Sequence, residues 1–250
     1  MTRACVLLAL LLAAMVGCGT SGSGASQPPS PSSAPTANAE LGLSAAHVIN
    51  DAQAATAAAS SFHIKGMLNS GITVDADVTA NGDAEGAVTY AGITWSFLAI
   101  GGRTYFKGST IWQRTQTATV AAAIGDRWVH VDTTIGFWSL SVVMPAIRQV
   151  VLQDVLGPHP GLNNVGRDPL TGVAAVRVES PSDRYWIAAN GPPYLLRWID
   201  VKESSPSGVC GFDLSNFGLP VTITAPSGAI ELGGVGAVIS PLPAPSAEGA

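Results

Sequence analysis

FHIKGMLNSGITVDADVTANGDAEGAVTYAGITWSFLAIGGRTYFK, residues 62–107, is the stretch whose reading decides the fold. Phe62 to Leu68 alternates in the way a half-buried strand does. Asn69-Ser70-Gly71 is turn chemistry, and a second strand follows over Ile72 to Ala80. Asn81-Gly82-Asp83 turns the chain into Glu85 to Tyr90, and Ala91-Gly92 leads into Ile93 to Ile100. Gly101-Gly102 is a further hairpin signal before Arg103 to Lys107. Beyond Gly108-Ser109, Ile111 to Arg114 reads as one more short strand. Short strands joined in sequence by tight turns predict an antiparallel meander.

Working outward, the segment before the meander reads as a helix over Leu41 to Ser60. Ser44 is a capping residue. Val48, Ile49, Ala52, Ala55 and Ala59 recur at spacings of three and four, with His47, Asn50, Asp51 and Gln53 on the polar side. Downstream, Thr117 to Ile124 predicts a short helix and Trp128 to Val131 a short extended piece. Phe137 to Leu156 has near-helical apolar spacing interrupted by Pro145, which predicts two short helices or one kinked helix. Asn164 to Arg167, Val173 to Glu179, Arg184 to Ala188, Leu195 to Lys202 and Cys210 to Ser215 are five more strands. Pro220 to Pro226 is extended.

The N-terminus is of a different kind. Arg3 precedes an unbroken apolar run, Val6 to Ala14, that ends in Met15-Val16-Gly17-Cys18. A basic start, an apolar region and small residues make an export signal rather than a fold element. Cys18 directly after Val16-Gly17 resembles the lipobox of bacterial lipoproteins. In such a motif the thiol takes a diacylglyceryl group and the chain is cut before the cysteine. Gly19 to Asn38 is rich in glycine, serine and proline and lacks the apolar content to fold, so it reads as a disordered tether. Pro241 to Ala250 is a disordered tail of similar kind.

Bulk composition narrows the partners. Only 12% of the residues are charged and 47% are hydrophobic, against roughly 25% charged in an average globular protein. A net charge of −5 with no basic cluster excludes a nucleic-acid partner. No apolar run after Cys18 reaches the roughly 18 residues of a membrane span, so the protein is expected to be anchored rather than spanning. Cys5 goes with the signal and Cys18 would carry lipid, which leaves Cys210, read as a buried, chemically idle thiol ahead of a free reactive thiol or an intermolecular bridge.

Several local motifs then fall in a telling order. They are Ser61-Phe62-His63-Ile64-Lys65-Gly66, Gly102-Arg103-Thr104-Tyr105-Phe106 and Arg127-Trp128-Val129-His130-Val131. Next come Tyr185-Trp186-Ile187 with Pro193-Tyr194-Leu195-Leu196-Arg197, and last Phe212-Asp213-Leu214-Ser215-Asn216-Phe217-Gly218-Leu219-Pro220-Val221. Behind a lipobox, a tether and a helix, this order resembles the actinobacterial LppX/LprA/LprF/LprG lipoproteins, which share the fold of the LolA and LolB lipoprotein carriers. The resemblance covers roughly Ser44 to Pro226.

It implies an α+β fold: a curved antiparallel β-sheet half-barrel with helices packed in its concave face. It also implies an apolar cavity for the acyl chains of lipids, lipoglycans or lipoproteins, with no catalytic residue and no cofactor. The expected organisation is a signal peptide over 1–17, lipidated Cys18 and a disordered tether over 18–40, a LolA-like lipid-binding domain over 41–232 and a disordered tail over 233–250. The expected location is the outer face of the cell membrane, held by lipid on Cys18. The partner is a lipid or acylated ligand. The alternative is an envelope interaction or structural module of the same fold, with an envelope protein as partner.

A lipid cavity needs apolar walls, because an unpaired buried polar group costs about 1–3 kcal/mol. From the sheet the candidates are Trp95, Phe97, Phe106 and Trp112. From the central helices they are Phe137, Trp138, Leu140, Met144, Ile147 and Val151. Each of these taken singly reads first as ordinary core, since large apolar residues are mostly core. Tyr185, Trp186, Tyr194 and Trp198 read either as a sugar- or partner-binding surface or as cross-strand packing. His47, His63, His130 and His159 lack the close spacing of metal ligands, so no metal is expected. No serine sits in a G-x-S-x-G elbow. A triad assembled from distant residues remains the enzymatic alternative. Cys18→Ala is expected to release the protein from membranes while leaving ligand binding intact, as read by fractionation and by binding in vitro.

Overall fold

The computed structural model describes residues 37–69, 71–131, 144, 146–205 and 208–232. The expected signal, Cys18 and nearly all of the tether, along with the tail over 233–250, lie outside them. So do Pro145 and the candidates Phe137, Trp138 and Leu140.

The alternating segments pair into one twelve-stranded sheet. The first meander comprises β1 (Ser61–Asn69), β2 (Ile72–Thr79), β3 (Ala84–Tyr90), β4 (Ile93–Ile100), β5 (Arg103–Lys107) and β6 (Val129–His130). The second comprises β7 (Asn163–Arg167), β8 (Ala175–Glu179), β9 (Asp183–Ala188), β10 (Leu195–Ser205) and β11 (Gly208–Ser215). β1 and β11 join the two meanders antiparallel, with Ile64 opposite Leu214 and Gly66 opposite Phe212. A two-residue β12 (Ile230–Glu231) adds parallel to β6. The sheet therefore ends in β12 and β7 and does not close. Short edge strands limit unwanted pairing with other chains, and β7 also carries a register shift between Asn164 and Gly166.

Register places the core in rows along the concave face. One row runs Val129, Phe106, Phe97, Gly86, Ala76, Ile64 and Leu214. A second runs Trp95, Val88, Val74, Gly66, Phe212, Trp198, Tyr185 and Val178. Each row contains one glycine. A Cβ on Gly86 would stand 2.2 Å from Asp75 O, and one on Gly66 would stand 2.3 Å from Gly211 O. Neighbouring strands close in on the concave side at these points, as a strongly bent sheet requires.

The convex side carries a ladder of opposite charges. Lys65 Nζ lies 2.7 Å from Asp75, and Arg197 Nε lies 2.5 Å from Asp213. The Lys65 ammonium is the main reason that the Asp75 carboxyl sits below its ordinary pKa.

The first helix, α1 (Ala45–Ala58), starts where Ser44 Oγ accepts from His47 N, and it buries Val48, Ile49 and Ala52. Before it, Asn38 already belongs to the domain: Nδ2 donates to Ala188 O at 2.8 Å, and its backbone N–H to Ala189 O.

One expected strand is a helix. Ile111 to Arg114 lies within α2 (Ser109–Thr115), followed by α3 (Ala118–Ile124) capped by Thr117. Gly108, at φ 149°, swings the chain off the sheet. Ile111, Trp112 and Thr115 are all buried, which suits one face of a helix and not a strand, where Ile111 and Trp112 would point apart.

Among the described residues every core residue lies between Ala45 and Leu232, and the chain from Pro35 onward is one compact unit. Gly86→Ala is expected to lower stability by about 3 kcal/mol in urea unfolding. Gly42→Ala, with nothing within 4 Å of the new methyl group, is expected to stay within about 0.5 kcal/mol of the parent.

Candidate functional site

A helical stretch from residue 146 roofs part of the concave face. Residues 146–149 are α-helical and run into a π-helix, Val150–Val155, in which Leu156 N–H reaches Val151 O at 3.1 Å. A π-helix is rare. Gln53 Nε2 of α1 donates to Leu152 O at 2.6 Å, and His159 Nε2 donates to Val155 O at 2.9 Å. Gly157 ends it, since a Cβ there would lie 2.1 Å from Gln153 O.

Arg148 pins this roof. It is 7% exposed, and its guanidinium donates to Ala57 O at 2.8 Å and Ala59 O at 2.9 Å, with Thr56 O at 3.4 Å and Thr79 O at 3.5 Å. Three of these carbonyls are at the C-terminal end of α1, where orphan oxygens and the negative end of the helix dipole favour a cation. The guanidinium also stands 5.5 Å from the centre of the Phe62 ring. Burial lowers its pKa, but arginine stays charged.

Beneath the π-helix lies a cavity of about 280 Å³. Its floor is Leu68 of β1, Trp198 of β10 and Phe212 of β11; its roof is Ile147, Val150, Val151 and Val155, with Asp154 beside them. Two roomier hollows are open surface grooves. One runs along Leu219–Ile223 beside Ser60 and Asn81, and the other lies on the convex face beneath Leu170 and Val173. The cavity under the π-helix is more enclosed than either.

A polar cluster backs its floor. Trp198 Nε1–H donates to Asp183 Oδ1 at 3.0 Å, and the same carboxylate accepts from Ser180 at 2.9 Å and Ser182 at 2.6 Å. His159 Nδ1 lies 4.0 Å from Asp183. Burial first, then the Asp183 charge, raises the Tyr185 phenol well above its ordinary pKa, so the ring stays neutral.

Trp95, Phe97, Phe106, Trp112, Met144, Ile147 and Val151 are each no more than 2% exposed and belong to one core cluster. Ile147 and Val151 also line the cavity. Trp95, Phe97, Phe106 and Trp112 do not; they fill the β4–β5 half of the sheet, with Trp95 edge-on to Phe106 at 6.5 Å. Leu68, Val150, Asp154, Val155, Trp198 and Phe212 went unread as lining residues. The alternation of β1 and β11 could have offered Leu68 and Phe212. Nothing local marks the π-helix.

The strand alternation divides the late aromatics rather than gathering them. Tyr185 and Trp198 face inward, Trp186 hydrogen-bonds Asp168, and Tyr194 stacks on Phe217 at 4.1 Å. Cys210 is a buried thiol, its Sγ 2.8 Å from Leu68 O. His63 sits between Asp75 and Asp77 on the convex face, and His130 meets Glu231 of β12. Among the described residues no group of three or more His, Cys, Asp or Glu is placed to hold a metal ion, and no helix is long and apolar enough to cross a membrane.

No protein-family model matches the chain, and no curated protein does. Solved structures do. LprF from Mycobacterium bovis superposes with a TM-score of 0.53 at 23% identity, over 74% of this chain and 97% of that one. The Mycobacterium tuberculosis lipoprotein LppX gives a TM-score of 0.50 at 20% identity, over 72% of this chain and 98% of that one. The fold is that of LprF and LppX. The unclosed, curved, mostly antiparallel sheet with helices on its concave face is thus the α+β half-barrel that the order of sequence motifs implied.

Arg148→Met keeps the side-chain volume but strands the α1 carbonyls. It is expected to cost about 2–4 kcal/mol in urea unfolding, and to speed amide exchange in 146–155 more than in β4.

Proposed function

We propose that the protein is a lipid-anchored envelope protein that binds an acyl chain in the cavity beneath the π-helix and carries out no catalysis. The observation that carries the reading is a partly enclosed, mostly apolar space of about 280 Å³ between the π-helix and the inner face of β1, β10 and β11. It lies close to the lower end of the range for small-molecule sites, about 300 Å³. A water takes up about 30 Å³ and a methylene about as much, so the space suits one chain of about nine carbons. Burying them gains about 7 kcal/mol at about 0.8 kcal/mol per methylene, before the cost of ordering the chain. The expected Kd therefore lies at or above about 10 µM.

The similarity to LppX, itself described as a lipoprotein, supports the same reading of this chain: lipid on Cys18, attachment to the outer face of the cell membrane, and a lipid or acylated ligand. Carriage of that ligand across the envelope would follow from a cavity that fills and empties. The solid β4–β5 half of the sheet favours the other reading, an interaction module whose core is simply full.

Titration of detergent-free Pro35–Ala250 with a fluorescent fatty-acid probe separates the two. Saturable binding in the range of tens of micromolar or weaker is expected with the parent and lost in Val150→Trp, which fills the space from a half-buried position, with the urea midpoint little changed. No saturable binding to the parent contradicts the proposal.

A further inference from the structure

The walls of this cavity also discriminate among polar ends. We infer that it accepts a single alkyl chain whose head is a hydrogen-bond donor, a hydroxylated group or an amine, and turns away anionic heads. The inference rests on the acyl-binding reading and names its ligand class.

Apart from Trp198 and Asp154, the lining side chains are hydrocarbon. Trp198 is the one lining side chain with an N–H, and that N–H already donates to Asp183. A carboxylate or phosphate head entering here meets no free side-chain donor among the described residues. It meets the Asp154 carboxylate instead, which is exposed at the cavity and offers only acceptor oxygens.

Two further carboxylates stand behind the wall, one of them with His159 at 4.0 Å. Asp183 is 7% exposed and stands one hydrogen bond behind Trp198. Asp200 is opposite Asp183 in the β9–β10 ladder. Lys202, further along β10, is exposed. An anion next to apolar walls is poorly solvated, and like charges near it add to that cost. A sugar or glycerol hydroxyl can donate to Asp154, and an ammonium can both donate and pair with it.

The experiment is displacement of N-phenyl-1-naphthylamine from Pro35–Ala250 by three ligands of equal chain length below their micellar concentrations: decylamine, decyl glucoside and decanoate. Decylamine and decyl glucoside are expected to displace the dye at concentrations at least tenfold lower than decanoate. In Asp154→Asn the gap between decylamine and decanoate should shrink at least threefold, with decyl glucoside nearly unchanged. Decanoate binding as well as the other two overturns the inference, as does a gap that survives Asp154→Asn; both leave acyl binding standing. No displacement by any of the three, or no dye binding, overturns acyl binding itself and this inference with it.

Discussion

The arrangement depends on one buried cation. Arg148 enters the interior without a carboxylate beside it among the described residues, and its neutralisation comes from carbonyl oxygens at the end of α1 and at Thr79. Desolvating a guanidinium is costly. The cost is offset because those oxygens are themselves orphans of a helix C-terminus that lacks a glycine cap, Ala59 being extended. One side chain thus caps α1 and, at the same time, fixes where the stretch after it lies over the sheet. The π-helix begins two residues later, at Val150.

Curvature and filling then explain why the concave face is solid on one side and hollow on the other. Gly86 and Gly66 let the strands close in on the inner face, so the sheet bends around its helices. Over β4 and β5 the space is taken by α2, whose Trp112 and Ile111 are fully buried among Trp95, Phe97 and Phe106. Over β10 and β11 the roof offers valines and an isoleucine above Trp198 and Phe212. Branched aliphatic side chains are too short to fill what aromatics fill on the other side. Voids larger than a water are few in protein interiors, and this one lies under a π-helix whose carbonyls at Leu152 and Val155 are held by Gln53 and His159.

Most of the sheet was legible because its signals are local. Period-two alternation and turn glycines name β1 to β5 and β8 to β11 to within a few residues, and the Ser44 and Thr117 caps mark two helix starts. Ile111 to Arg114 failed as a strand because adjacent apolar residues suit a helix lying on a core as well as a strand buried on both faces; the exposure of Gln113 and Arg114 between buried Trp112 and Thr115 decides for the helix. β12 was unreadable, since two residues carry no period. It is held instead by Glu231 reaching His130 and Arg103, a contact across more than a hundred residues. The site was legible only in kind. Large aromatics announce apolar volume, but whether that volume is filled depends on which helix lies over which strand. That is settled by Arg148, a lone basic residue in the sequence with no local pattern to mark it.

Xenon pressurisation of crystals of Pro35–Ala250 tests the central claim most directly, because a dry apolar cavity admits xenon while a polar one holds ordered water. The account predicts xenon density bounded by Val150, Trp198 and Phe212, with none among Trp95, Phe97 and Trp112. A file of ordered waters in the space beneath the π-helix, or side chains filling it with no site for xenon, would contradict it.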